Sequence, residues 1–133
     1  MLRFADGKNL SVCDTPGIIE NSHKGNGLGI EFLRHIERTK ALIYVIDGNG
    51  VGAQSPINML DMLQNEIGEY NKAILDKPFI IAINKMDKEE GSFNKKYEVK
   101  TKNNQGAKIL AISAKSCINL DKLTDMIREL KIK

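Results

Sequence analysis

Four consecutive residues, Asn84-Lys85-Met86-Asp87, carry side chains able to read a flat polar ligand. They follow the apolar, β-branched run Phe79-Ile80-Ile81-Ala82-Ile83, itself preceded by Pro78. That run has the length and composition of a buried strand. The tetrad therefore falls where a strand ends and a loop begins, and in open parallel α/β sheets ligands bind at the carboxyl ends of strands. A carboxylate placed there can accept two parallel hydrogen bonds, the pattern that the N1–H and exocyclic amine of guanine offer. Adenine presents the wrong pattern, and the mismatch would leave buried polar groups unpaired, which makes discrimination steep. Taken alone, the tetrad reads equally well as a polar turn, because short motifs also arise by chance.

It is not alone. Asp14-Thr15-Pro16-Gly17 follows the apolar stretch Leu10–Cys13, Asp47 follows Ala41–Ile46, and Ser113-Ala114-Lys115 follows Lys108–Ile112. Four polar groups, each at the end of a strand, point jointly to one ligand edge of a sheet. The elements that must position them are legible. Leu2–Ala5 and Asn9–Cys13 flank Asp6-Gly7, a favoured type I′ hairpin pair. A helix is predicted over Leu28–Thr39, with Leu28, Phe32, Leu33 and Ile36 inward and Glu31, Arg34, Glu37 and Arg38 outward. Ser55 and Pro56 read as the N-cap and first position of a second helix. Ile57, Leu60, Leu63, Ile67 and Tyr70 recur along it as far as Asn71, with Gly68 weakening its end. Asn119 reads as the cap of a last helix, whose buried stripe is Leu120, Leu123, Ile127 and Leu130. Lys88–Gly106 is polar and weakly patterned, with a short helix conceivable over Ser92–Glu98; its charge run reads as a solvated face. Alternating strands and helices give an α/β fold with a mostly parallel sheet.

The 133 residues are the size of one domain, and 41% hydrophobic content suffices for one core. A net charge of +3 permits contact with RNA without arguing for it, since no clustered patch is seen. Aromatic residues at 5%, with no Trp, provide no base-stacking surface. Cys13 and Cys117 lack metal or disulfide spacing; Cys13 reads as small core packing and Cys117 as an inert loop thiol. No apolar run approaches the roughly 20 residues of a membrane span, and the first residues do not read as a targeting segment. His35 reads as a helix-surface or packing residue and His23 as a loop residue, since neither has a partner for metal or acid–base work.

With these motifs in place, the chain resembles the P-loop GTPases, and within them the Obg family. Asp14–Gly17 matches the switch II box, Asn84–Asp87 the guanine box and Ile112–Lys115 the second guanine loop. Three stretches narrow the likeness to Obg: Pro16-Gly17-Ile18-Ile19-Glu20, Gly25-Asn26-Gly27-Leu28-Gly29, and Phe32-Leu33-Arg34-His35-Ile36-Glu37-Arg38-Thr39. The resemblance implies a Ras-like three-layer sandwich and a GTP/GDP site formed by Asp14, Thr15, Pro16, Gly17, Asn84, Lys85, Asp87, Ser113, Ala114 and Lys115. It implies that Asp14 holds Mg²⁺, that the Gly17 amide meets the γ-phosphate, and that Asn84 bonds the base and braces the phosphate loop. Lys85 would lie along the purine, Asp87 would read its N1–H and amine, and the Ala114 amide would bond its carbonyl oxygen. Ile18 stands where Ras-like enzymes carry a water-orienting glutamine, which implies slow hydrolysis. No G-x-x-x-x-G-K-[ST] occurs in the 133 residues, so the Mg²⁺ and phosphate sites are expected to be incomplete in this chain.

Against the family pattern the chain is expected to span switch II to the C-terminal helix, a partial G domain over 1–133 without the first strand, phosphate loop, first helix and switch I. That strand would lie in mid-sheet, and buried backbone groups left unpaired cost about 1–3 kcal/mol each. The expectation is an unstable sheet, or a hairpin re-paired against Ala41–Ile46. The implied function is a GTPase switch in large ribosomal subunit assembly, with the large subunit or its rRNA as partner. The implied setting is intracellular, with mitochondrion, nucleolus and cytoplasm undecided. The alternatives are a nucleotide-incompetent piece, or a binding module that contacts a partner through switch II.

Overall fold

The computed structural model describes residues 2–13, 27–49, 56–86 and 108–130, and the side chains within these from residue 33 in the first helix and residue 58 in the second. The elements are β1 (Leu2–Arg3), β2 (Asn9–Leu10), α1 (Gly27–Arg38), β3 (Leu42–Asp47), α2 (Pro56–Tyr70), a 3₁₀ turn (Lys72–Asp76), β4 (Phe79–Asn84), β5 (Lys108–Ala111) and α3 (Leu120–Glu129). β3, β4 and β5 form a parallel sheet in that order, with Tyr44 opposite Ile81 and Ile81 opposite Ile109.

Alternation along the strands divides the core into two faces. Tyr44, Ile46, Ile81 and Ile83 pack in one cluster with Leu33 and Ile36 of α1, Leu60 and Ile67 of α2, Ile74 and Met86. Ile80 and Ala82 are buried on the opposite face, where α3 lies against β4. Helices on both sides of a parallel sheet make this the Ras-like three-layer arrangement. The helical stripe read from the sequence is buried where it can be seen, at Leu33, Ile36, Leu60, Ile67 and Ile127, while Leu63, Tyr70, Leu120, Leu123 and Leu130 are half-buried.

Several expectations need correction. The hairpin turn is not type I′, since Gly7 has φ +83° but Asp6 has no positive φ. Instead Gly7 N–H donates to Phe4 O (3.0 Å) and Phe4 N–H to Lys8 O (2.9 Å), a three-residue loop whose last position needs glycine. The second hairpin strand stops at Leu10 rather than reaching Cys13, and Cys13 is exposed rather than core. The hairpin does not re-pair against β3: it is a separate two-stranded sheet. Among the described residues no third strand lies beside Ser11–Cys13, so they join no ladder. The hairpin leans on α3 instead, where Arg128 pairs with Asp6 and stands 5.8 Å over the Phe4 ring centre. The Lys8 N–H, and then the Arg128 guanidinium, hold the Asp6 carboxyl below the ordinary carboxylate range.

α2 ends at Tyr70, one residue early, and Asn71 serves the next element. Its Oδ1 accepts from Ala73 N–H (3.0 Å), capping a 3₁₀ turn that no pattern in the sequence announces. Gly68 has a packing role there, since a Cβ on it would stand 3.0 Å from Leu75 Cδ1. Ser55 and the segment Ser92–Glu98 lie outside the described residues.

β4 is the one described strand paired with β3. Leu42 N–H donates to Pro78 O (3.0 Å) and Gly48 N–H to Asn84 O (2.8 Å), so by strand alternation Tyr44 and Ile46 also donate toward β4. Ile43 and Val45 donate to the other edge, and Val45 is 58% exposed. Their amides are expected to exchange at least ~100-fold faster than those of Tyr44, Ile46 and Ile81, which sit in paired, buried backbone. Equal protection across β3 by hydrogen-exchange NMR would show that this edge is covered in solution.

Candidate functional site

The carboxyl ends of β3, β4 and β5 converge on three loops, the place where a parallel sheet binds its ligands. β4 delivers Asn84. The chain then turns sharply, because Lys85 has φ +63°, a conformation that costs a side-chain-bearing residue roughly 1–2 kcal/mol. The neighbours hold it there. Met86 is buried, anchoring the far side of the turn in the core, and its N–H donates to Ile112 O (3.2 Å).

The β5 loop closes on itself. Ser113 and Ile118 form an antiparallel bridge, with N–H to O distances of 3.2 and 3.0 Å. The Ser113 hydroxyl is fully buried and its Oγ accepts from Ser116 N–H (3.1 Å). Ala114 and Lys115 are thereby presented at the exposed tip of a compact turn. Cys117 completes this turn at φ +56°, exposed as expected of a loop thiol. Asn119 does not cap α3 with its side chain. It takes φ +60°, and its Nδ2 donates back to Ala111 O (2.9 Å), tying the loop to β5.

One bond joins the two loops. Ala114 N–H donates to Asn84 Oδ1 at 3.0 Å, across 30 residues of sequence. The structure thus brings Asn84 and Lys85 together with Ser113, Ala114 and Lys115. Where the resemblance has Asn84 bracing a phosphate loop, the contact described is this brace to the second loop. Asp14, Thr15, Pro16, Gly17 and Asp87 lie outside the described residues. So does the group expected for Mg²⁺, and among the described residues no cluster of three or more His, Cys, Asp or Glu groups could hold a metal ion.

A third loop shows in the sequence only as a strand end. Asp47 Oδ2 lies 2.9 Å from Lys85 Nζ, and its Oδ1 accepts from Asn49 N–H (3.0 Å). The signal was present in Asp47-Gly48 after an apolar run, but its partner lies 38 residues away. His35 is exposed on α1. No helix among the described residues is long and apolar enough to cross a membrane.

With this geometry in hand, comparison with known proteins gives a family. The family model described as "50S ribosome-binding GTPase" matches residues 2–85. Similar curated proteins are each named "GTPase Obg". That of Symbiobacterium thermophilum is 45% identical over 84 residues, 63% of this chain and 20% of the relative. That of Leptospira biflexa is 38% identical over 125 residues, 94% of this chain and 36% of the relative. That of Ruminiclostridium cellulolyticum is 36% identical over 129 residues, 97% of this chain and 30% of the relative. The chain belongs to the P-loop GTPases, in the 50S ribosome-binding GTPase family and its Obg group. It spans about a fifth to a third of the length of these relatives.

Proposed function

We propose that these residues form the base-reading part of a guanine-nucleotide switch. The observation that carries the reading is the Ala114 N–H to Asn84 Oδ1 bond, which sets the two guanine-recognition loops side by side at the ligand edge of the sheet. In this reading Asp87 accepts from the N1–H and amine of guanine, the Lys85 stem lies along the ring, and the Ala114 N–H turns from Asn84 Oδ1 to the base carbonyl when guanine enters. Asp14 and Gly17 address Mg²⁺ and the γ-phosphate. The whole protein hydrolyses GTP slowly, because Ile18 offers nothing to the attacking water. Its target is the large ribosomal subunit, in line with the family's description as ribosome-binding.

The test is a change of base. Asp87→Asn exchanges an acceptor for a donor, which suits the carbonyl of xanthine in place of the amine of guanine. Titrated by NMR with GMP and XMP, the unchanged chain is expected to prefer GMP, and the variant to reverse that preference by about 100-fold or more in the ratio. An unchanged ratio would show that Asp87 does not read the base.

A second reading, a binding module working through α1, is favoured by one observation. Arg34, His35, Glu37 and Arg38 are all exposed on a helix whose inner face, at Leu33 and Ile36, is firmly buried.

A further inference from the structure

We propose that the turn Asp47-Gly48-Asn49 is a positioning element for base recognition, and that Asp47 is a positioning residue acting through Lys85. The inference rests on the guanine reading and assigns a role to residues outside its motifs. Four contacts carry it. Lys85 Nζ pairs with Asp47 Oδ2 at 2.9 Å. Gly48 N–H donates to Asn84 O at 2.8 Å, holding the peptide that enters Lys85. Asn49 Nδ2 reaches Lys85 O at 3.5 Å, on the peptide that leaves it. Asp47 Oδ1 accepts from Asn49 N–H at 3.0 Å, which folds the turn onto its own carboxylate.

The backbone at Lys85 is in a left-handed conformation that persists only where its surroundings over-determine it. Met86 and Ile112 hold one side, and the Asp47–Asn49 turn holds the other. Gly48 is where the two segments press closest, since a Cβ there would stand 2.4 Å from Met86 Sδ and 2.8 Å from Asn84 O. The second of these is backbone, which cannot swing aside. Glycine is therefore what lets the β3 loop lie against the β4 loop. The direction in which the chain leaves Lys85 sets where the carboxylate of Asp87, two residues on, can reach. Asp47 itself touches neither base nor phosphate in this scheme. It orients the ammonium and, through it, the loop that does.

The ion pair is half-exposed, with Lys85 at 48% and Asp47 at 21%, so its loss should leave the fold standing. The test uses GMP and IMP, which differ by the 2-amino group that Asp87 is assigned to read. Affinities are measured by NMR titration to millimolar concentrations on the 133-residue chain. The unchanged chain is expected to favour GMP. Asp47→Ala is expected to shrink the GMP:IMP ratio about fivefold, with a thermal midpoint within about 2 °C of the parent. Asp47→Glu is expected to restore most of the ratio. In the same samples, without nucleotide, Gly48 and Met86 amides are expected to exchange faster in Asp47→Ala.

An unchanged GMP:IMP ratio in Asp47→Ala, in a chain that does discriminate, would overturn the positioning role and leave the guanine reading intact. Equal loss of both affinities together with a lowered midpoint would reduce Asp47 to a structural residue. Absence of a GMP preference in the unchanged chain would remove the guanine reading, and this inference with it.

Discussion

Ile81→Ala is expected to cost about 2–5 kcal/mol of folding stability, read as a lowered midpoint in urea at unchanged slope. Ile81 is fully buried on the central strand, opposite Tyr44 on one side and Ile109 on the other. Truncating it opens a cavity where α1, α2 and the sheet meet, and packed interiors relax only partly into such a space. Domains of this size are stable by about 5–15 kcal/mol, so the loss is a large fraction of the total. Val45→Ala provides the contrast. That residue is 58% exposed on the neighbouring strand, and its truncation should stay within about 0.5 kcal/mol. Equal effects at the two positions would mean that β4 is not the centre of the core.

Lys77→Met is expected to cost about 1–3 kcal/mol while keeping the length and apolar stem of the side chain. The ammonium donates to the carbonyls of Ile36 (3.2 Å), Glu37 (2.6 Å) and Thr39. The last carbonyls of a helix have no partner within it, and a cation also offsets the negative end of the helix dipole. Methionine offers neither donor nor charge. Amide exchange would localise the effect, with α1 losing protection before the sheet does. A variant as stable as the parent, with α1 fully protected, would show that water serves these carbonyls equally well.

The three-stranded sheet was legible because its strands are short apolar runs rich in Ile and Val, and buried parallel strands need little else. α1 and α2 were legible from apolar stripes that only a helix could gather onto one face. The loops at Asp47, Asn84 and Ser113 followed, since each stands where a strand ends; Asp14 was expected at the end of a strand through Cys13, and that strand stops at Leu10. What escaped was decided by pairing and by which of several partners a polar side chain takes. Cys13 looks like core only if a strand continues through it, and the strand ends where its pairing ends. In the sequence Asn71 and Asn119 look like local helix signals. One caps the following 3₁₀ turn, and the other spends its amide on Ala111 O. The Asp47–Lys85 pair joins two strand ends whose adjacency is a property of sheet order, which no local spacing encodes.

The carboxyl end of α1 is held by several independent bonds. Besides the Lys77 bonds, Glu37 accepts from Tyr70 Oη and Asn71 Nδ2, both at 3.0 Å, so the carboxyl end of the helix is riveted to the end of α2. Twelve residues make a rod about 18 Å long at 1.5 Å per residue. With that end pinned and Leu33 and Ile36 buried beneath it, the last turn and a half of the rod is a ruler: Arg34, His35 and Arg38 stand exposed at set intervals along its axis, and a surface that meets them must match that spacing because it cannot mould it.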